Sequence, residues 1–159
     1  MGVIDDVTLT YTKNSAVFKS DEYTIYTRLI EGKYFAYQKM FTEGEINTCA
    51  SRTALIGAMT RAKMCTEEKQ PAVFQIEDDV LNISIRDKLA DYQEQVPLQE
   101  TVCKSIRLGF DSRLVLETLK AFTCDNIALG FTSPRTPMIV EAEDSDMKAM
   151  VLPVAIREA

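Results

Sequence analysis

IRLGFDSRLVLETLKAF, residues 106–122, is the stretch on which the fold turns. Ile106, Leu108 and Phe110 alternate with Arg107 and Gly109, the period of a strand with one face turned inward. Asp111 follows, a residue type that caps helices by accepting a backbone N–H. From Ser112 to Phe122 the apolar positions switch to helical spacing, with Val115, Leu116, Leu119 and Phe122 on one face. The stretch reads as a strand that runs through a one-residue cap into a short amphipathic helix.

The same order stands earlier in the chain. Ile46 to Ala50 reads as a strand, Ser51 as an N-cap, and Arg52 to about Thr66 as a helix whose core positions are Leu55, Ile56, Met59 and Ala62. The two helices even begin alike, Ser51-Arg52 and Ser112-Arg113. Three strand candidates follow the first helix: Ala72 to Ile76, Leu81 to Ile85 and Tyr92 to Val102. Three more follow the second: Ile127 to Phe131, Met138 to Ala142 and Ala149 to Val154. Residues 45 to 155 therefore read as a βαβββ unit written twice at a period of roughly 60 residues. The expected class is α+β, with two helices packed on antiparallel sheets.

Upstream, residues 1 to 41 read as two or three strands. Val7 to Tyr11 alternates, Ala16 to Phe18 follows a Lys13-Asn14-Ser15 turn, and Tyr23 to Ile30 is rich in β-branched and aromatic residues. The polar stretch Thr42-Glu43-Gly44-Glu45 reads as a linker. This divides the chain into an incomplete set of strands, 1–43, and a complete domain, 44–159.

The composition narrows the function. In 159 residues, 46% hydrophobic and 26% charged, there is enough material for a core without disulfides or metals. No apolar run is long enough to span a bilayer, and MGVIDDVTLT lacks the basic and apolar regions of a secretory signal. No membrane role is expected, and the expected compartment is the cytoplasm. Cys49, Cys65, Cys103 and Cys124 form no C-x-x-C pair and the chain has no histidine, so neither a zinc site nor a histidine base is expected. The thiols read as reduced and partly buried. No phosphate-binding glycine loop is present, and no cofactor is expected. Asp5-Asp6, Asp78-Asp79 and the acids of Glu141 to Asp146 read as turn or edge carboxylates more readily than as a metal or acid–base site. A net charge of −6 argues against general nucleic-acid binding unless a basic stripe lies on one face. On the first helix Arg61 lies opposite the apolar face, flanked by Arg52 and Lys63. On the second, Arg113, Glu117 and Lys120 share a stripe. Spacing alone favours solvated helix faces for both.

Four segments carry a family resemblance. They are RLIEGKYFAYQKMF (28–41), TALIGAMTRAKMCTEEKQPAVFQIEDDVLNISI (53–85), IRLGFDSRLVLETLKAF (106–122) and MVLPVAI (150–156). In order and spacing the chain resembles the C-terminal portion of bacterial DNA sliding clamps, the beta subunit of DNA polymerase III. It matches the end of their second domain and all of their third. The resemblance implies the DNA clamp fold and a non-enzymatic processivity factor that tethers a polymerase by ring topology. It implies that Arg52, Arg61, Lys63, Arg113 and Lys120 face double-stranded DNA, meeting phosphates without reading bases. It implies a peptide groove formed by Phe35, Lys39, Met40, Thr136, Pro137, Met150, Val151, Leu152, Pro153 and Val154. The partners implied there are the polymerase III catalytic subunit, the clamp loader and repair polymerases, each docking a short linear peptide. Met64 and Cys65 fall where the third domain meets the next subunit. The first domain and most of the second are not in these residues, so the two-subunit ring is not expected of this chain alone. The tail departs as well: Ala155 stands where the family usually has a basic residue, and Arg157 comes later. A rival from another class remains, a monomeric peptide-binding module that never encircles DNA. An unrelated acidic enzyme is the third reading.

Overall fold

A computed structural model describes residues 6–65, 70–86, 91–142 and 146–156. Asp5, Thr66, Glu143, Asp144 and Arg157, named above, lie outside the described residues. The chain forms two compact units, Met1–Ala36 and Tyr37–Ala159. The division comes before the polar stretch at 42–45, because Tyr37–Met40 forms a turn of 3-10 helix within the second unit.

The first unit is a three-stranded antiparallel meander of β1 (Thr8–Tyr11), β2 (Ser15–Lys19) and β3 (Thr24–Arg28). Thr12 closes the first turn by accepting from the Ser15 backbone N–H. Ser20 closes the second by accepting from the N–H of Tyr23. The register sets Leu9 opposite Phe18, and Phe18 opposite Ile25.

The second unit holds a six-stranded sheet and two helices. Its elements run β4 (Ile46–Ser51), α1 (Arg52–Met64), β5 (Ala72–Arg86), β6 (Asp91–Phe110), α2 (Ser112–Ala121), β7 (Asn126–Phe131), β8 (Met138–Ala142) and β9 (Lys148–Val151). The strand order is β5-β6-β4-β7-β8-β9, and every pairing is antiparallel. Both expected caps are present. The Ser51 hydroxyl accepts from the Ala54 N–H, and the Asp111 carboxylate accepts from the Arg113 N–H at 2.8 Å.

The strand count differs from the sequence reading. Ala72 to Ile76 and Leu81 to Ile85 are one strand, β5; Tyr92 to Val102 and Ile106 to Phe110 are likewise one strand, β6. The polar stretches that read as breaks are irregularities inside one hairpin. The register shifts around Asp78, whose φ of 52° lies in the left-handed region that Asp tolerates better than most residues. The ladder then resumes, with Ile76 opposite Ile106 on one side and Leu81 opposite Val96 on the other. The doubled βαβββ order survives, with the end of one unit fused to the start of the next.

Alternation decides what is buried. Phe74, Ile76, Leu81, Ile83 and Ile85 of β5 all face the core, as do Ile106, Leu108 and Phe110 of β6. Phe74 and Phe110 meet edge-on with centroids 5.1 Å apart, a favourable aromatic geometry. α1 packs on β4, β5 and β6 and lies beside α2. Its buried residues are Leu55, Ala58, Met59 and Ala62, with Ile56 half-buried at the margin. Ala58 was not among the expected core positions. With only a methyl group, it lets the helix come close to its neighbours. α2 buries Val115, Leu116 and Leu119 as expected, and Phe122 follows in the core.

Candidate functional site

The basic residues of the two helices divide by what they touch. Arg52 opens α1 half-buried. Its Nε donates to the Cys124 carbonyl at 2.6 Å, and its backbone N–H donates to the Asp125 carbonyl. Arg52 therefore ties the start of α1 to the loop between α2 and β7. Arg61 makes a two-pronged contact with Glu94 of β6, Nε to Oε2 at 2.8 Å and Nη2 to Oε1 at 2.6 Å. Such paired N–H···O bonds are the strong form of a charge-assisted contact. Gly57, one turn earlier, leaves room for the guanidinium: a Cβ there would lie 3.1 Å from Arg61 Nη2.

The Tyr92 hydroxyl completes this cluster, within reach of both Glu94 and the Ala58 carbonyl. Hydrogen bonds from Arg61 and then Tyr92 hold the Glu94 carboxyl down at about 2. Burial, and then the bond to Glu94, push the Tyr92 phenol up to about 12. Arg61 is raised by Glu94. The sequence reading names Tyr92 only as the start of a strand and does not name Glu94. They stand on the core-facing side of β6, in line with Val96 and opposite Ile85 and Ile83, as polar groups at the end of an apolar row, and only the fold brings them to α1.

Lys63, Arg113 and Lys120 project from the helices as exposed side chains. Arg113 stands 3.6 Å from the Asp111 carboxylate, and Glu117 is exposed beside it on α2. Met64, at the end of α1, is 82% exposed. Cys65 caps that end, its backbone N–H donating to the Ala62 carbonyl. All four cysteines are free, three half-buried and Cys103 exposed. Asp78 and Asp79 are exposed at the β5 irregularity.

The tail forms the second arrangement. Met138 pairs with Val151, and Ile139 with Met150, so Thr136-Pro137 and Leu152-Pro153 leave the β8–β9 ladder at the same end. Thr136 is held in a tight turn, its Oγ1 accepting from the Ser133 N–H at 2.9 Å and donating to the Ser133 carbonyl at 3.0 Å. Val151 is buried, Met150 and Pro153 are half-buried, and Leu152 and Val154 are exposed. The tail then crosses to β6, where the Val154 N–H donates to the Gly109 carbonyl at 2.8 Å. Gly109 is required there, since a Cβ would lie 2.8 Å from the Val154 carbonyl oxygen and 3.0 Å from Ile156 Cγ1. An isolated glycine in an alternating strand is itself a sign of such close approach. Of the other groove positions, Met40 is half-buried and Lys39 exposed in the 3-10 turn of the second unit. Phe35 is exposed in the first unit.

No helix among the described residues is long and apolar enough to cross a membrane, and no group of three or more His, Cys, Asp or Glu among them is placed to hold a metal ion.

Comparisons with known proteins bear on the family and the fold. The family model for the DNA polymerase III beta subunit, C-terminal domain, matches residues 41–155. The beta sliding clamp of Staphylococcus aureus is 24% identical over 155 residues, covering 94% of this chain and 41% of that protein. A putative DNA polymerase III beta subunit from Eubacterium rectale has the same fold at a TM-score of 0.84 and 23% identity, covering 95% of this chain and 42% of that one. The sliding clamp of Pseudomonas aeruginosa bound to griselimycin superimposes at 0.82 with 19% identity, over 96% of this chain and 42% of that one. The chain thus spans about two fifths of the length of the curated relatives it matches. With the matched segment holding both helices and the whole six-stranded sheet, the chain belongs to the family of the DNA polymerase III beta subunit, C-terminal domain.

Proposed function

We propose that the chain is the C-terminal part of a DNA sliding clamp, a non-catalytic cytoplasmic tether that holds DNA by ring topology and captures partner peptides at its tail. The observation that carries the reading is the pair of helices lying side by side, with Lys63, Arg113 and Lys120 exposed on them. Cations spread thinly over a helix pair meet phosphates without gripping a sequence, which suits sliding. Arg61 joins them as a cation already engaged by Glu94, and Arg52 as a structural member of the same face. Met64 and Cys65 would contribute to a subunit interface. The exposed Leu152 and Val154, next to half-buried Met150, Pro153 and Pro137, support docking of a short peptide with a leucine–aromatic end, of the kind a polymerase or clamp loader carries. Thr136, Lys39 and Met40 belong to that docking region, and buried Val151 anchors it.

The test is anisotropy of a labelled DNA duplex titrated with the chain. Binding should be weak, indifferent to sequence and strongly weakened by salt. Each phosphate contact contributes about one unit to the log–log salt slope, so Lys63→Glu with Lys120→Glu should reduce it by about two. A sequence preference that survives high salt overturns the DNA-facing assignment. Absence of DNA binding, with NMR shifts at Thr136 and Leu152 on adding a clamp-binding peptide, favours the peptide module instead.

A further inference from the structure

The tail is fastened at two places, and the residues between them belong to the docking region. Val151 is buried and closes the β8–β9 ladder opposite Met138. Further on, the Val154 N–H donates to the Gly109 carbonyl at 2.8 Å. That bridge joins the tail to β6, which three strands separate from β9 in the sheet order. Only Leu152 and Pro153 stand between the two anchors. The Pro153 ring fixes its own φ and confines Leu152 to extended backbone. A segment that short, tied at both ends, keeps few of the conformations open to a free tail.

Gly109 makes the second anchor possible. A Cβ there would stand 2.8 Å from the Val154 carbonyl oxygen, 3.0 Å from Ile156 Cγ1 and 3.3 Å from Pro71 Cβ. The first two groups are the tail's own, so the tail lies directly on the bare Cα. β6 has no room to withdraw. Leu108 and Phe110, on either side of Gly109, are buried, and Gly109 itself pairs with Val73 of β5. A conflict at this position is therefore relieved by the tail, and half-buried Ile156 shifts with it. We propose that Gly109 and the Val154 N–H form a clasp that holds Leu152 in place for peptide capture. Gly109 is a positioning residue, acting through the tail and not by contact with the peptide. The inference rests on the peptide-docking reading above and adds the device that prepares the site. A peptide then meets a tail already ordered, and the cost of ordering does not weaken its binding. Opening the clasp frees the tail beyond Val151, and the same contacts bind less tightly.

The experiment is fluorescence anisotropy of a labelled hexapeptide ending in Leu-Phe, titrated with the full chain. Gly109→Ala breaks the clasp from the β6 side. Val154→Pro breaks it from the tail side by removing the N–H. Each should raise the dissociation constant about 10-fold, the contribution of roughly one hydrogen bond. Val154→Ala keeps the N–H and should lose less than Val154→Pro. The double variant of Gly109→Ala with Val154→Pro should bind no more weakly than the weaker single one, because both act on one bond. Ser51→Ala removes the cap of α1 and should lower stability without changing the affinity. Before any peptide is added, the Leu152 methyl resonances should move towards random-coil positions in Gly109→Ala and stay in place in Ser51→Ala. Unchanged affinity in Gly109→Ala and Val154→Pro overturns the clasp and leaves the peptide reading standing. Additive losses in the double variant overturn it in the same way. Equal weakening by Ser51→Ala overturns it too, since the effect then follows from general loss of stability. No binding of the peptide to the unaltered chain removes the docking reading, and the proposal with it.

Discussion

The two sheets of this chain use the same alternation and reach different ends. In the six-stranded sheet, Ile127, Leu129 and Phe131 of β7 alternate inward and are buried. In the three-stranded sheet, Leu9, Phe18 and Ile25 line up just as regularly and remain exposed. The difference lies between the strands. β4 and β6 each lead through a capping residue into a helix, and those helices bring Leu55, Met59, Val115 and Leu119 into the core. The meander has only tight turns, and turns carry no apolar face. Alternation sets which side of a strand is apolar; a covering layer decides whether that side becomes a core.

The largest break in that contrast comes from the core. Phe110 is fully buried and meets Phe74 edge-on. Phe110→Ala should destabilise the second unit by about 3–5 kcal/mol, read as a lower urea midpoint. Ile25→Ala, in dilute solution, should change stability by less than about 1 kcal/mol. Similar costs at the two positions would mean that the meander is covered after all. Smaller, but more local, is Gly109→Ala. The new methyl collides with the Val154 carbonyl, and such overpacking costs about 1–3 kcal/mol. Hydrogen exchange at the Val154 amide should accelerate while the amides between β4 and β7 stay protected. Loss of protection across the whole sheet would show that the tail is part of the core and not an appendage clasped to it.

The residues made most of the second unit legible. Two caps, two helical faces and the alternating strands appear where the spacing puts them, because each is a local pattern with a local cause. The fused strands were not legible. Asp78 and the polar residues near Lys104 look like loop, and only the partner strand shows that the ladder continues through them. The site was readable to the same depth. Spacing finds that Arg61 faces outward, but Glu94 is thirty-three positions away and meets it only through the packing of α1 on β6. Arg52, counted among the outward cations, is bonded to a loop carbonyl because the helix start and the α2–β7 loop adjoin.

The Arg61–Glu94–Tyr92 cluster gives the second unit a pH signature. Glu94 is depressed from 4.5 to about 2 in the folded chain. Its contribution to stability is therefore complete above the unfolded value and is lost as pH falls from about 4.5 towards 2. Tyr92 is raised from 10.0 to about 12, so its contribution is present below pH 10 and is lost as pH rises towards 12. Glu94→Gln should flatten the acid limb of the second unit's stability profile and leave the alkaline limb partly in place. An acid limb unchanged by Glu94→Gln would assign it to other carboxylates.

The smallest effect is expected at Arg113. Its guanidinium stands 3.6 Å from Asp111, with Arg113 exposed and Asp111 half-buried, at 49% and 33%. An ion pair of that kind in water typically contributes no more than about 0.5 kcal/mol and is screened by salt. The cap is made by the Arg113 backbone N–H and not by its side chain, so Arg113→Ala leaves it intact. Asp111→Ala removes the cap and should cost about 1 kcal/mol. Thermal denaturation of the two variants at low and high salt separates the contributions: the Asp111→Ala loss should persist in salt, and the small Arg113→Ala loss should vanish. A larger loss for Arg113→Ala than for Asp111→Ala would make this side chain part of the packed interior, and the boundary between core and surface in the second unit would have to be redrawn at α2.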